Sequence, residues 1–183
     1  LEFSPFRLWV QGTAGSGKTQ LALKELRKAA AQNQVAMYIC FNRALVDSVK
    51  QSAPNPKNCW TFHELARFVA ENHGQIIDFG GEGAYEQMVD CLLTHYDDLK
   101  EQLDLLVIDE GQDFYPEWGA VLLELVKTDG RMIWLEDSSQ RIYGRPLIEP
   151  DGWVKLSSPT NYRSPQHILT LINGLNLTDD YLE

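Results

Sequence analysis

Residues 7–23 read RLWVQGTAGSGKTQLAL, and the eight residues from Gly12 to Thr19, GTAGSGKT, decide the fold. They satisfy the pattern G-x-x-x-x-G-K-[ST] at every fixed position. RLWVQ, Arg7 to Gln11, is an apolar strand, and a helix is predicted from Lys18 to Gln32. Between them the glycines let the backbone turn its N–H groups inward around a phosphate. The helix that follows adds the positive end of its dipole. Lys18 carries a compact positive charge for the β and γ phosphates, and the Thr19 hydroxyl suits Mg²⁺. Gly12, Thr13, Ala14, Gly15, Ser16, Gly17, Lys18 and Thr19 are therefore the candidate nucleotide-binding residues.

The second informative stretch is LVIDEGQDF, Leu106 to Phe114, where three carboxylates follow a greasy run. Clustered acids repel one another and lose solvation, so a cation is expected beside them. A parallel strand would bring Asp109 to the same carboxyl edge as the phosphate loop. There it can hold Mg²⁺, which prefers oxygen ligands and keeps part of its water. Glu110 is then placed to polarise an attacking water, which makes hydrolysis possible as well as binding. Asp113 is left open between a local bond and a neighbouring basic residue.

Outward from these two stretches, short apolar runs alternate with helical stripes, as in α/β construction. Strands are predicted at Val35 to Phe41, in CWTF (59–62), at Leu103 to Ile108, Arg131 to Glu136 and Trp153 to Leu156. The near-continuous apolar run 103–108 fits a central strand covered on both faces. Thr61 and Glu64 form a capping box opening a helix toward Asn72. Tyr85, Met88, Val89, Leu92, Leu93 and Tyr96 make one face of a further helix. Pro116 starts a helix whose inner stripe is Trp118, Val121, Leu122 and Leu125. Ser164-Pro165 starts a last one, and Ser157-Ser158-Pro159 is the expected domain boundary.

The 183 residues suit one domain or one domain with part of a second. No run of about 18 apolar residues is present, so no membrane span is expected. Cys40, Cys59 and Cys91 are scattered without a CxxC pair, which fits reduced thiols and a cytoplasmic location. A formal net charge of −10 excludes a general cationic coat for nucleic acid but not a local groove.

Read together, the motifs resemble those of UvrD/Rep-like superfamily 1 DNA helicases. DEGQDF (109–114) is similar to their DEAQDF-type acidic motif and TFHEL (61–65) to motif Ic. EDSSQRIYG (136–144) is similar to motif III, usually GDxxQxIY, and NYRSP (161–165) to motif IV. CFNRAL (40–45) stands where motif Ia belongs. The resemblance implies an α/β, three-layer RecA-like P-loop NTPase domain, with a mainly parallel central sheet and helices on both faces. Residues 1–158 would form this ATP-binding domain, and 159–183 would carry motif IV and begin a truncated second RecA-like domain. It further implies ATP and Mg²⁺ as cofactors, and single-stranded DNA and the remainder of the helicase as partners. Lys18 and Thr19 would bind phosphate and metal, Asp109 the metal, and Glu110 would be the catalytic base. Gln140, with Gln112, would sense the γ-phosphate; Tyr162 would stack on adenine and Arg163 would reach the γ-phosphate. Phe41, Asn42, Thr61, Phe62, His63 and Tyr143 would line the DNA path. For Thr61, Phe41, Phe62, His63 and Tyr143 a cap or packing role is an equal alternative.

The sequence departs from the family pattern in two places that matter. Glu136 replaces the usual Gly of motif III, and RPLIEP (145–150) follows the tyrosine where an aromatic-Arg-Gly stretch is usual. The later motifs do not occur, so an incomplete motor of weak or no activity by itself is expected. The alternative function is a noncatalytic, ATP-dependent interaction module of a DNA-repair or defence assembly. A small-molecule kinase is disfavoured by QRIY and NYRS.

Overall fold

The predicted alternation of strands and helices is realised around a single sheet in the computed structural model, which describes residues 6–80, 82–137, 140, 145, 152–158, 160–162 and 164. Six strands run β1 (Arg7–Gly12), β2 (Ala36–Cys40), β3 (Cys59–Thr61), β4 (Leu103–Asp109), β5 (Val126–Glu136) and β6 (Val154–Ser158). Five helices run α1 (Lys18–Ala31), α2 (Arg43–Lys50), α3 (Phe62–Asn72), α4 (Ala84–His95) and α5 (Pro116–Glu124). The strand order is β3-β2-β4-β5-β1-β6, and every neighbouring pair is parallel.

Strand alternation divides the core into two layers. Leu105 and Val107 of β4 join Leu8, Tyr38, Ile133 and α1 residues such as Leu23 and Leu26. Leu106 and Ile108 face the other way, against Phe62 and Leu65 of α3, Met88 of α4 and Trp118 and Leu122 of α5. All four β4 side chains are at most 1% exposed. Each contributes about 1.5–3 kcal/mol by burial, so β4 is the fixed rail on which Asp109 rides.

The helix starts follow their local chemistry. Thr61 Oγ1 accepts from the Glu64 N–H at 3.0 Å while Glu64 Oε2 accepts from the Thr61 N–H at 2.8 Å, completing the capping box. Pro116 opens α5 at its first turn, where its missing donor costs nothing.

Four details differ from the sequence reading. Val35 lies outside β2 and is 47% exposed. Phe62 begins α3 instead of ending β3, because the Thr61 cap turns the chain there. Tyr85, expected on the buried face of α4, is 58% exposed, and Ala84 and Cys91 are buried instead. β5 begins at Val126, five residues before its predicted start. Asp129-Gly130 resembles turn chemistry, but Gly130 is where β5 passes close to β4: a Cβ there would lie 2.9 Å from the Leu103 carbonyl oxygen. The expected helix after Ser164 lies outside the described residues, as does most of 159–183. Among the described residues, no helix is long and apolar enough to cross a membrane.

Candidate functional site

The sheet order explains how the site is assembled. β1 delivers the phosphate loop and β4 delivers Asp109, but β5 lies between them. The end of β5, Glu136 followed by Asp137, therefore enters the middle of the site, with both residues 1% exposed.

In the loop, Gly15 and Gly17 have φ of 81° and 90°, a left-handed backbone that glycine adopts without a steric penalty. At Gly12 a Cβ would lie 2.4 Å from Ser16 Oγ. No side chain caps the start of α1, so its first N–H groups point into the loop without competition. A hollow of about 160 Å³ is lined by residues 14–20 together with Glu110 and Gln140. The Lys18 ammonium donates to the Gly12 and Thr13 carbonyl oxygens at 2.6 and 3.1 Å and stands 3.7 Å from Asp137 Oδ2.

Asp109 is fully buried. Its Oδ2 accepts from Thr19 Oγ1 at 3.2 Å and Tyr38 Oη at 2.9 Å, and its Oδ1 from the Glu110 N–H at 3.0 Å. Burial, reinforced by the charge of Glu110, pushes its carboxyl up to about 6. The same burial and the Asp109 charge raise the Tyr38 phenol, which stays a donor. The Thr19 hydroxyl and Asp109 carboxylate are hard oxygen ligands beside a phosphate-sized hollow, the set that Mg²⁺ takes when phosphate and water complete its shell. Among the described residues no group of three His, Cys, Asp or Glu could hold a metal alone. Thr19 and Asp109 fit a cation that is shared with phosphate.

Glu110 follows with φ 53° and ψ 46°, a left-handed conformation costing a non-glycine residue about 1–2 kcal/mol. Its Oε2 accepts from Gln112 Nε2 at 2.7 Å, and Gln112 Oε1 accepts from the Asp137 N–H at 3.0 Å. Asp137 Oδ2 in turn accepts from Gln140 Nε2 at 2.9 Å. One hydrogen-bonded chain thus joins Glu110, Gln112 and Asp137 to Gln140, and Lys18 is ion-paired to Asp137 beside it. Asp137 was not singled out from the sequence; its place between the two motifs depends on β5 being inserted between β4 and β1.

Glu136, the departure from the family Gly, accepts from Gln11 Nε2 at 2.7 Å and from Trp134 Nε1 at 3.3 Å. Trp134 Nε1 also fills the space beside Gly111, where a Cβ would lie only 2.0 Å away. Tyr162 is 77% exposed, and its N–H donates to the Gly15 carbonyl at 3.0 Å, so the 160–162 segment runs along the phosphate loop. Arg163 and Tyr143 lie outside the described residues.

The residues expected on a DNA path divide. Phe62 is 0% exposed and stacks on Trp118 with centroids 4.3 Å apart, so it packs the core and does not meet solvent. Thr61 is 5% exposed and its hydroxyl accepts from the Glu64 N–H in the capping box. Asn42 is exposed, but its Oδ1 caps α2 by accepting from the Ala44 and Leu45 N–H groups. Phe41 and His63 are partly exposed and meet edge to face at 5.3 Å. Burial and the Arg145 charge lower the His63 imidazole below its ordinary value. Around them stand three residues that the sequence did not single out for this edge, Tyr85, Tyr115 and Arg145. A larger hollow of about 390 Å³, lined by Leu26, Ala53, Asn58 and Cys59 among others, lies at the amino ends of the strands, away from Lys18 and Asp109.

A phosphate loop, a buried acidic strand end and a parallel sheet covered on both faces define a P-loop NTPase domain of RecA-like architecture. More narrowly, residues 7–165 match the model of the Schlafen group 3, DNA/RNA helicase domain, and the chain belongs to that family. That description gives a helicase domain and does not narrow it to the UvrD/Rep-like group that the motifs resemble. In fold the chain is similar to the Pif1 helicase from Candida albicans, with a TM-score of 0.52 at 14% identity over 94% of this chain and 41% of that one. AMPPCP-bound DnaA from Aquifex aeolicus aligns with a TM-score of 0.46 at 15% identity over 100% of this chain and 47% of that one. The chain thus spans less than half the length of either solved protein. No curated protein matches the sequence.

Proposed function

We propose that this chain is the ATP-binding and ATP-hydrolysing lobe of a superfamily 1, UvrD/Rep-like motor acting on single-stranded DNA. The observation that carries the reading is the chain of hydrogen bonds from Glu110 through Gln112 to Asp137, which meets Lys18 in the phosphate hollow. Lys18 and the loop N–H groups would hold the β and γ phosphates, and Tyr162 would stack on the base. Thr19 and Asp109 would hold Mg²⁺, which would supply charge neutralisation to the phosphate oxygens. Glu110 would take the proton of a water aimed at the γ-phosphorus, and Gln112 fixes the carboxylate that receives it. Lys18 and Gln140 both touch Asp137, so a phosphate that drew Lys18 away would be felt at Gln112 and Glu110 through the Asp137 backbone.

Arg163 would act from a second RecA-like lobe, the partner that completes such a site and can contribute orders of magnitude in rate. Phe41 and His63, at the carboxyl edge beside the nucleotide hollow, are the residues proposed to meet single-stranded DNA, together with Tyr143. Aromatic faces suit a translocating lobe because every base offers a π-face.

The test is ATP turnover by this lobe joined to its second RecA-like lobe, with and without a single-stranded oligonucleotide, in the wild type and Glu110→Gln. The expected result is oligonucleotide-stimulated hydrolysis that falls by about 10²–10⁴-fold in the variant, the range for a lost general base. ATP binding with no turnover even when the second lobe is supplied and the oligonucleotide is present would replace the motor by an ATP-dependent interaction module.

A further inference from the structure

We propose that the rings of Phe41, Tyr115 and Trp118 form a nucleobase-stacking subsite, and that Arg145 is its internal plug, displaced when a base of single-stranded nucleic acid enters. This rests on the nucleic-acid reading of the preceding section and names the residues through which the contact would be made and regulated.

The Arg145 guanidinium carbon lies 4.6 Å from the Phe41 ring centroid, 4.2 Å from that of Tyr115 and 5.0 Å from that of Trp118. Its Nε and Nη1 atoms are buried, so the group sits within the cage and not on its rim. The cage is rigid from beneath: Trp118 stacks on the fully buried Phe62 at 4.3 Å and 15°. The Phe41 plane lies within 17° of the Trp118 plane, and Tyr115 closes the third side edge-on to Trp118 at 4.7 Å. Tyr115 is 38% exposed and Tyr85, next to His63, is 58% exposed, so the cluster opens to solvent on one side.

The occupant's shape indicates the ligand. A guanidinium is flat and delocalised and stacks on aromatic faces, as a nucleobase does; an ammonium is a compact point charge. Near-parallel Phe41 and Trp118 rings present a slab of π-surface suited to a flat group. The cage also lies where β2 and β4 end, on the edge that carries the phosphate hollow, as a strand path beside a motor site requires. Arg145 belongs to the same stretch as Asp137 and Gln140, five residues beyond the latter.

A plug and an ordinary phosphate-binding arginine predict opposite signs. Removing a cation that binds phosphate weakens binding; removing a plug frees the subsite and strengthens it, because the binding-competent fraction rises. The experiment is a fluorescence-anisotropy titration of a labelled oligothymidylate of about 16 nucleotides with wild type, Arg145→Ala, and Arg145→Ala combined with Tyr115→Ala. The expected result is about 3- to 30-fold tighter binding in Arg145→Ala, the scale of a cation–π contact. The added Tyr115→Ala change should then reverse the gain. Equal or weaker binding in Arg145→Ala overturns the plug while leaving the nucleic-acid reading intact. Absence of binding by wild type and variant alike overturns both. Capture of a trimethyl-lysine peptide by Arg145→Ala in place of the oligonucleotide makes the cage a cation reader and overturns the base assignment. If Arg145→Ala lacks a melting transition, Arg145→Met, which keeps the apolar stem volume, carries the same comparison.

Discussion

Gly111→Ala is the smallest change that strikes the site through packing alone. The added methyl would lie 2.0, 2.4 and 2.8 Å from Trp134 Nε1, Cε2 and Cδ1, well inside van der Waals contact. Trp134 is 0% exposed, donates to Glu136 Oε2 at 3.3 Å and meets Phe114 at 6.2 Å between centroids. A rotation large enough to clear the methyl breaks the indole–carboxylate bond. Overpacking of a closed core costs about 1–3 kcal/mol, and losing a hydrogen bond to a charged group about 1.5–3 kcal/mol more. The expected destabilisation is about 3–5 kcal/mol, a large part of an ordinary domain's stability. Urea unfolding followed by circular dichroism reads it directly. In a Trp134→Phe background, where the nitrogen edge is gone, the same Gly111→Ala change should cost about 2 kcal/mol less. A cost below about 1 kcal/mol in the wild-type background, or no coupling to position 134, would refute the reasoning.

Two further outcomes follow from the hydrogen bonds and the burial. The folded state holds the Asp109 proton more tightly than an unfolded Asp, with the carboxyl raised from 3.8 to about 6. Its contribution to stability is therefore full below pH 4 and lost as pH rises through about 6, by up to about 3 kcal/mol. Asp109→Asn should remove that fall and melt higher than wild type at pH 7; parallel melting curves of the two proteins from pH 4.5 to 7 would contradict it. Thr61→Ala removes the α3 cap and should cost about 1 kcal/mol, measured by urea unfolding; an unchanged midpoint would show that the capping box carries no stability.

How far the chain could be read without its structure differs by feature. The strands at 7–12 and 103–109 were legible because buried parallel strands need unbroken apolar runs, and GTAGSGKT carries its own backbone requirement. Lys18, Thr19, Asp109 and Glu110 could be grouped from the sequence because each follows a legible strand. Asp137 could not, since only the order β4-β5-β1 brings it between them. Tyr38 looks like one more apolar strand residue until the register pairs Cys40 with Asp109, which brings the phenol within 2.9 Å of that carboxylate. Phe62 shows the opposite failure. Its motif resembles a DNA contact, but the core uses its ring. Arg145 within its aromatic cage meets Phe41 just after β2, Tyr115 just before α5 and Trp118 within α5, a juxtaposition that no local pattern records.

The central claim is that Gly12 to Thr19, with Asp109, forms a working Mg²⁺-ATP cradle. Calorimetric titration of ATP into wild type and Lys18→Ala, each with and without Mg²⁺, tests it most directly. The account predicts Mg²⁺-dependent binding by the wild type that is largely lost in Lys18→Ala. Equal ATP affinity in the two proteins would contradict it.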